Sequence, residues 1–170
     1  MAINYKKCYY ILFADRKTKK ELKLLINQNV VNKTDSLKIL GIYFDDKLSF
    51  PTHIEYVCKK VKRNIGLLYR IRNFLKYQGM REIYFILFYH FLIYGLCVWG
   101  FAKEHHLNRI RLIQKKIIRI MSFKSYNCHT LELFENFNVL QFDKLIKMNV
   151  CKTIFKAINN QGSNILSGFF

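Results

Sequence analysis

Apolar and polar positions alternate or cluster differently along this chain, and the period changes near residue 50. Cys8–Phe13 is a short run rich in Tyr and Ile, and Leu37–Phe44 repeats the type, so each predicts a strand. Between them, Leu22–Val31 centred on Asn27-Gln28-Asn29 predicts a small hairpin, because Asn tolerates the left-handed backbone of tight turns. At Ser49-Phe50-Pro51 the period becomes helical: Ser can cap, and Pro is tolerated in a helix's first turn. With Lys59 at zero on a helical wheel, Lys62, Arg63 and Arg70 fall within about 60° of it. Ile54, Val57, Val61, Ile65, Leu68 and Leu75 gather on the opposite side. Arg72 breaks the pattern by falling on the apolar side.

Three further helical stretches follow. Met80 to Trp99 is apolar nearly throughout, which predicts one helix buried on most sides and stopped by Gly100. Glu104–Ser122 places Leu107, Ile110, Ile113, Ile117 and Met121 in line, with Arg111, Lys115, Lys116 and Arg119 facing away. Shorter helices are predicted over Thr130–Asn136 and Gln141–Asn159, and Gln161-Gly162-Ser163-Asn164 opens a loose tail. No internal repeat or low-complexity tract is present.

Composition narrows the class. A chain of 170 residues with 51% hydrophobic content and one proline suits one or two modest cores and a largely helical fold. Lys and Arg number 29 against 11 acids, a formal charge of +18. Between Tyr56 and Ser125 fifteen basic residues face only Glu82 and Glu104, so that block carries +13 of the total. Such density attracts polyanions, which makes nucleic acid the first partner to consider and anionic lipid the second. The plain alternative is a solvated helical surface.

Five cysteines stand singly, with no C-x-x-C spacing and no signal peptide, which fits a reduced intracellular compartment and thiols used as gap fillers. No zinc-site spacing appears. Ile83–Ala102 runs twenty residues without a charge, the length of a membrane span. Against a span stand His90, Gly95, Gly100 and several Tyr hydroxyls.

One segment carries more specific information. Lys38, Leu40, Gly41, Ile42, Asp45, Leu48, Ser49, His53 and Ile54 fall on the pattern K-x-L-G-(I/V)-x-x-D-x-x-L-(S/T)-W-x-x-H-I, with Phe50 in place of Trp. Upstream, Asn4, Lys7, Tyr10 and Phe13 match N-x-x-K-T-x-Y-x-x-F, with Cys8 for Thr. Downstream, Tyr94-Gly95 with Trp99-Gly100, Gln114-Lys115-Lys116 with Arg119-Ile120, and His129 to Leu140 match three more blocks in order. In these motifs the chain resembles the reverse transcriptases of non-LTR (LINE-type, jockey-like) retrotransposons, over the join of palm and thumb and beyond. The resemblance implies an α+β, mostly helical fold: a small antiparallel β remnant of a polymerase palm over 1–48, thumb-like helices over 49–102, and a helical extension over 103–170. It also implies that the polymerase's catalytic blocks belong ahead of Met1, and so a truncated product is expected.

Tyr43-Phe44-Asp45-Asp46 spells Y-x-D-D, and Phe13-Ala14-Asp15-Arg16 looks like a damaged F-A-D-D. Two-metal phosphoryl transfer needs carboxylates converging on both ions, normally with one from a separate upstream strand. Both candidates sit inside blocks that follow the catalytic turn in the resembling family, so neither is read as a metal site. Asp45 instead aligns with a turn residue ending a strand.

By the same resemblance, Lys7 is a vestigial counterpart of a lysine near the incoming nucleotide, and Leu40-Gly41 is a primer-grip-like turn. His105-His106 reads as a solvent pair at a helix start.

The expected function is a reverse-transcriptase segment that keeps a nucleic-acid-binding thumb without the catalytic carboxylates. Its binding residues would be Lys59, Lys62, Arg63, Arg70, Lys115, Lys116 and Arg119. The expected partners are duplex or RNA/DNA hybrid and the missing upstream part of the polymerase, and a membrane is not expected to be one. No cofactor is expected for the segment, with Mg2+ in the parent enzyme, and the location would be cytoplasmic or nuclear. The alternative is a small basic membrane-associated helical protein with a span near 83–102.

Overall fold

A computed structural model describes Asn4, residues 7–13 and residues 22–159. The F-A-D-D-like Ala14, Asp15 and Arg16 and the tail at 161–164 lie outside the described residues. The chain divides into two compact units, Met1–His53 and Ile54–Phe170. As expected, it is α+β and mostly helical.

In the first unit, strands β2 (Leu24–Ile26) and β3 (Asn29–Lys33) form the expected hairpin. Its turn residues Asn27 and Gln28 have φ of 47° and 65°. β1 is shorter than its apolar run, covering only Tyr9–Tyr10, and it pairs in parallel with Asn32 and Lys33. The sheet is therefore mixed, ordered β1-β3-β2, rather than wholly antiparallel. The connection between these two parallel strands, residues 11–28, is longer than the dozen or so residues that a parallel crossover requires.

The predicted single strand over Leu37–Phe44 is two strands, β4 (Ser36–Ile39) and β5 (Ile42–Asp45), paired antiparallel. Leu40 and Gly41 occupy a two-residue turn with φ of 46° and 87°, the primed geometry whose twist suits a hairpin. The run of strand-forming residues did not by itself mark this reversal, which falls at the Leu40-Gly41 turn that the resemblance named.

The second unit begins within α1 (Pro51–Ile71). Ile54, Val57, Cys58, Val61, Ile65 and Leu68 are buried along one side, the spacing of a straight helix of 3.6 residues per turn. After a 3₁₀ turn at Arg72–Phe74 comes α2 (Tyr77–Tyr84), then a π-helical stretch at Phe85–Tyr89, α3 (His90–Ile93) and α4 (Leu96–Trp99).

The expectation of one continuous helix buried on most sides is thus corrected. Met80, Tyr84, Phe88, Leu92 and Leu96 are buried at every fourth position, while Ile86, Tyr94 and Val98 are exposed. An α-helix advances about 40° too far in four residues to keep such a row on one side. The wider π turns absorb part of that drift, and Gly95 resets the chain with φ of 62°.

The Asn64 amide donates to the Leu87 carbonyl within the π stretch at 2.7 Å, which ties α1 to it. Among the described residues, no helix is long and apolar enough to cross a membrane. The break at Tyr94-Gly95 accounts for this at 83–102, so the membrane alternative lacks support.

Helix α5 (Glu104–Met121) buries Leu107, Ile110, Ile113, Ile117 and Met121 as the pattern predicts, and also Gln114, Ile118 and Ile120. α6 (Leu131–Asn136) and α7 (Phe142–Ile158) complete the unit. Trp99 is fully buried, stacks on Phe142 with ring centroids 5.8 Å apart, and donates from Nε1 to the Tyr94 carbonyl at 2.8 Å. Gly100 follows where a Cβ would sit 2.4 Å from the Leu96 carbonyl oxygen and 3.4 Å from Ile146. The Tyr94-Gly95 and Trp99-Gly100 pairs are therefore a helix break that seats one indole. Of the cysteines, Cys58 is a buried gap filler, whereas Cys151 is exposed.

Candidate nucleic-acid interface

The first candidate chemistry, Y-x-D-D, is occupied with holding the chain together. Both Asp45 carboxylate oxygens accept hydrogen bonds: one from the Ser49 N–H at 3.1 Å and hydroxyl at 2.7 Å, the other from the Phe50 N–H at 2.6 Å. Partial burial raises the Asp45 pKa, but those bonds outweigh it and hold the carboxyl below its ordinary value of 3.8. Ser49 is thus not the helix cap expected from sequence; its hydroxyl donates to the residue that organises the turn.

Phe50, with φ of 57°, is buried edge-on to Phe44. His53 is buried too, its Nδ1 3.5 Å from the Tyr43 N–H. Desolvation, with the charge of Lys38 adding to it, pushes the His53 pKa down to about 4. Asp45, Phe50 and His53 therefore form the joint that starts α1. This carboxylate geometry does not fit a two-magnesium site. No group of three His, Cys, Asp or Glu side chains suited to a metal ion gathers among the described residues. Lys7 is exposed, with its N–H bonded to the Asn4 carbonyl.

The positive charges of the second unit separate into two sets. Four arginines are built into the fold. Arg72, the misfit of the helical wheel, lies between the rings of Tyr69 and Phe123 at 4.9 and 4.8 Å and points Nη1 at the Ile120 carbonyl, 3.5 Å away. Arg81 donates to the Phe137 carbonyl at 3.0 Å and covers Phe85. Arg111 is bonded to both Asp143 and Glu104. Arg119 donates to the Cys128 carbonyl at 2.9 Å and covers the Tyr126 ring. Arg111 and Arg119 therefore do not face away as free cations, because carboxylates and a loop carbonyl lie where the helix pattern alone shows only a direction.

Most of the rest are exposed, among them Lys59, Lys62, Arg63 and Arg70 on α1, and Arg109, Lys115 and Lys116 on α5. Lys59 pairs with Glu55 at 2.9 Å, an exposed contact of small energetic value. The Glu55 carboxyl is lowered mainly by the Lys59 hydrogen bond, with Arg109 adding to it. Burial raises the Cys58 thiol, and Arg109 opposes that shift.

Arg109 is thus near the first half of α1, and Arg72, just past the end of α1, reaches the Ile120 carbonyl near the end of α5, so the two helices follow the same order from start to end. Lys116, seven residues after Arg109, returns to within about 20° of the same side. Lys115 sits about 100° round from Lys116. Sequence reasoning missed Arg109, although its seven-residue spacing from Lys116 was readable.

Gln114, matched above only as a motif letter, is buried and links three elements. Its amide donates to the Tyr84 hydroxyl and the Leu140 carbonyl, each at 2.9 Å, and its carbonyl accepts from the Phe142 N–H at 2.8 Å. Burial pushes the Tyr84 phenol well above its ordinary pKa.

No family model and no solved structure matches this chain. Its curated homologues are RNA-directed DNA polymerases of mobile elements, of the jockey-like and other non-LTR kinds. The chain is 29% identical over 161 residues to the RNA-directed DNA polymerase from mobile element jockey of Drosophila melanogaster, which covers 92% of this chain and 17% of that protein. It is 28% identical over 136 residues to the jockey polymerase of Drosophila funebris, covering 78% of this chain and 15% of the relative. The probable polymerase from transposon BS of Drosophila melanogaster is 21% identical over 126 residues, covering 72% of this chain and 14% of the relative. The chain thus spans only about a sixth of the length of the first two relatives.

Proposed function

We propose that this chain is a thumb-like, nucleic-acid-binding part of a mobile-element RNA-directed DNA polymerase, and that it holds duplex or RNA/DNA hybrid against α1 and the adjacent side of α5. The observation that carries the reading is the sorting of charge. Lys62, Arg63, Arg70, Arg109 and Lys116 are exposed and make no ion pair among the described residues. Phosphates spaced along a backbone are the anion that such a double row suits.

The similarity to polymerases of mobile elements supports the same reading. The engagement of both Asp45 oxygens in the turn supports assigning the parent's magnesium-dependent chemistry to other residues. The upstream part of such a polymerase would be its protein partner. A cytoplasmic or nuclear location follows from the proposed ligand.

Binding should weaken steeply as salt rises, because contacts to phosphate release counterions. Lys62→Ala and Arg63→Ala should each lower the slope of log K against log salt by about 0.9 if the side chain meets a duplex phosphate. Lys147→Ala, exposed on α7, should leave the slope unchanged. Fluorescence anisotropy with a labelled blunt duplex makes the measurement. No binding at low salt, or binding indifferent to salt, would overturn the reading.

A further inference from the structure

Beyond the double row of cations, the far end of α5 carries aromatic rings in the open. α5 ends with Phe123 in the left-handed conformation, φ 54°, while the Lys124 and Phe123 N–H groups bond back to the Arg119 and Ile120 carbonyls. That position usually belongs to Gly, because a side chain there is strained. Here the ring instead lies over the Arg72 guanidinium, whose other neighbour is Tyr69 at the end of α1. Three residues on, Tyr126 is 75% exposed above Arg119. Phe123 and Tyr69 are exposed by 56% and 46%.

Arg70 and Lys124, next in sequence to Tyr69 and Phe123, are exposed, and neither the stretch 56–81 nor 105–131 contains a carboxylate. Exposed rings lying against guanidinium groups, in stretches rich in cations and free of carboxylates, combine the two features that bind unpaired nucleotides. Bases stack on the rings, and phosphates meet the charges.

We propose that Tyr69, Phe123 and Tyr126 form a stacking platform for unpaired bases of single-stranded nucleic acid, distinct from the cation rows of α1 and α5 that would hold the duplex. The proposal extends the nucleic-acid reading given above, and the test separates the two. The platform selects no sequence, because every base offers a face to stack.

The experiment compares binding of a blunt duplex with the same duplex carrying an unpaired oligothymidine tail, using the full chain. The tail should tighten binding by at least about fivefold, the effect of one stacked base. Tyr126→Ala should cut that gain by about fivefold, the share of one stacked base, and leave blunt-duplex affinity unchanged, whereas Tyr126→Phe should keep it, since the ring does the stacking. Tyr126 is chosen because so exposed a side chain can be removed without emptying the core, and an unchanged melting curve checks that. Lys62→Ala should weaken tailed and blunt duplex by the same factor.

A tail that adds nothing, or a gain undiminished by Tyr126→Ala, overturns the platform while duplex binding stands. Tail-dependent binding with no blunt-duplex binding supports the platform and overturns the duplex reading. Binding of neither removes both.

Discussion

Two helical stretches of similar length, α1 and the run from Tyr77 to Trp99, solve the same packing problem in opposite ways. α1 mixes charged and apolar residues at helical spacing, so one continuous helix buries a row of apolar positions on one side and leaves Leu67 and Tyr69 exposed. The later run is mostly apolar, yet before Trp99 it buries only every fourth residue, from Met80 to Leu96. It does so by passing through π turns and a left-handed glycine. Hydrophobicity sets how much a segment can bury, and the spacing of contacts sets its backbone. The difference shows that a uniformly apolar segment need not be a uniformly buried one.

The largest expected effect tests this selectivity. Phe88→Ala should cost about 3–5 kcal/mol, because it empties a fully buried site. Ile86→Ala, two residues away and 63% exposed, should stay within about 0.5 kcal/mol. Comparable losses at both positions in urea unfolding would mean that the run is buried all round and the comparison is false.

A smaller pair of effects should differ in sign. Gly100→Ala should destabilise by about 1–3 kcal/mol, since its Cβ would collide with the Leu96 carbonyl oxygen. In α1, a Cβ at Gly66 meets nothing within 4 Å, so Gly66→Ala should stabilise by about 0.5–1 kcal/mol through lost backbone freedom in the unfolded chain. Thermal melts of the two variants moving in the same direction would sink the contrast.

The smallest change touches the link between the two stretches. Asn64→Ala removes the amide that reaches the Leu87 carbonyl and should cost about 1 kcal/mol. Amide exchange should then quicken at Phe85–Ile93 and not at Val57–Ile65. Equal quickening in both would show that the π stretch does not depend on that bond.

Where the chain alternates polar and apolar residues, its structure was legible. The side of α1 that is buried, the Asn27-Gln28 turn and the buried row of α5 all follow from spacing. Where one residue class fills every position the pattern has no phase, which is why the π stretch was invisible, whereas the turn at Leu40-Gly41 was marked by the resemblance and not by spacing.

The candidate site divides in a similar manner. The exposure of Lys59, Lys62, Arg63 and Arg70 could be read from a wheel, which reports direction. The engagement of Arg119 could not, since the Cys128 carbonyl it meets belongs to a loop whose path no wheel describes. Arg72 held a clue: a cation on an apolar side, three residues after a tyrosine, is placed to lie on a ring.

The buried joint made by Gln114 has a practical consequence at the bench. Its side chain is neutral, and so are the three groups it binds, so concentrated salt does not screen the joint as it screens surface ion pairs. The interior and the exposed cations therefore answer to different reagents. A high-salt wash should strip co-purifying nucleic acid from this chain while leaving its helices assembled. The absorbance ratio at 260 and 280 nm would then fall without a change in the circular dichroism spectrum.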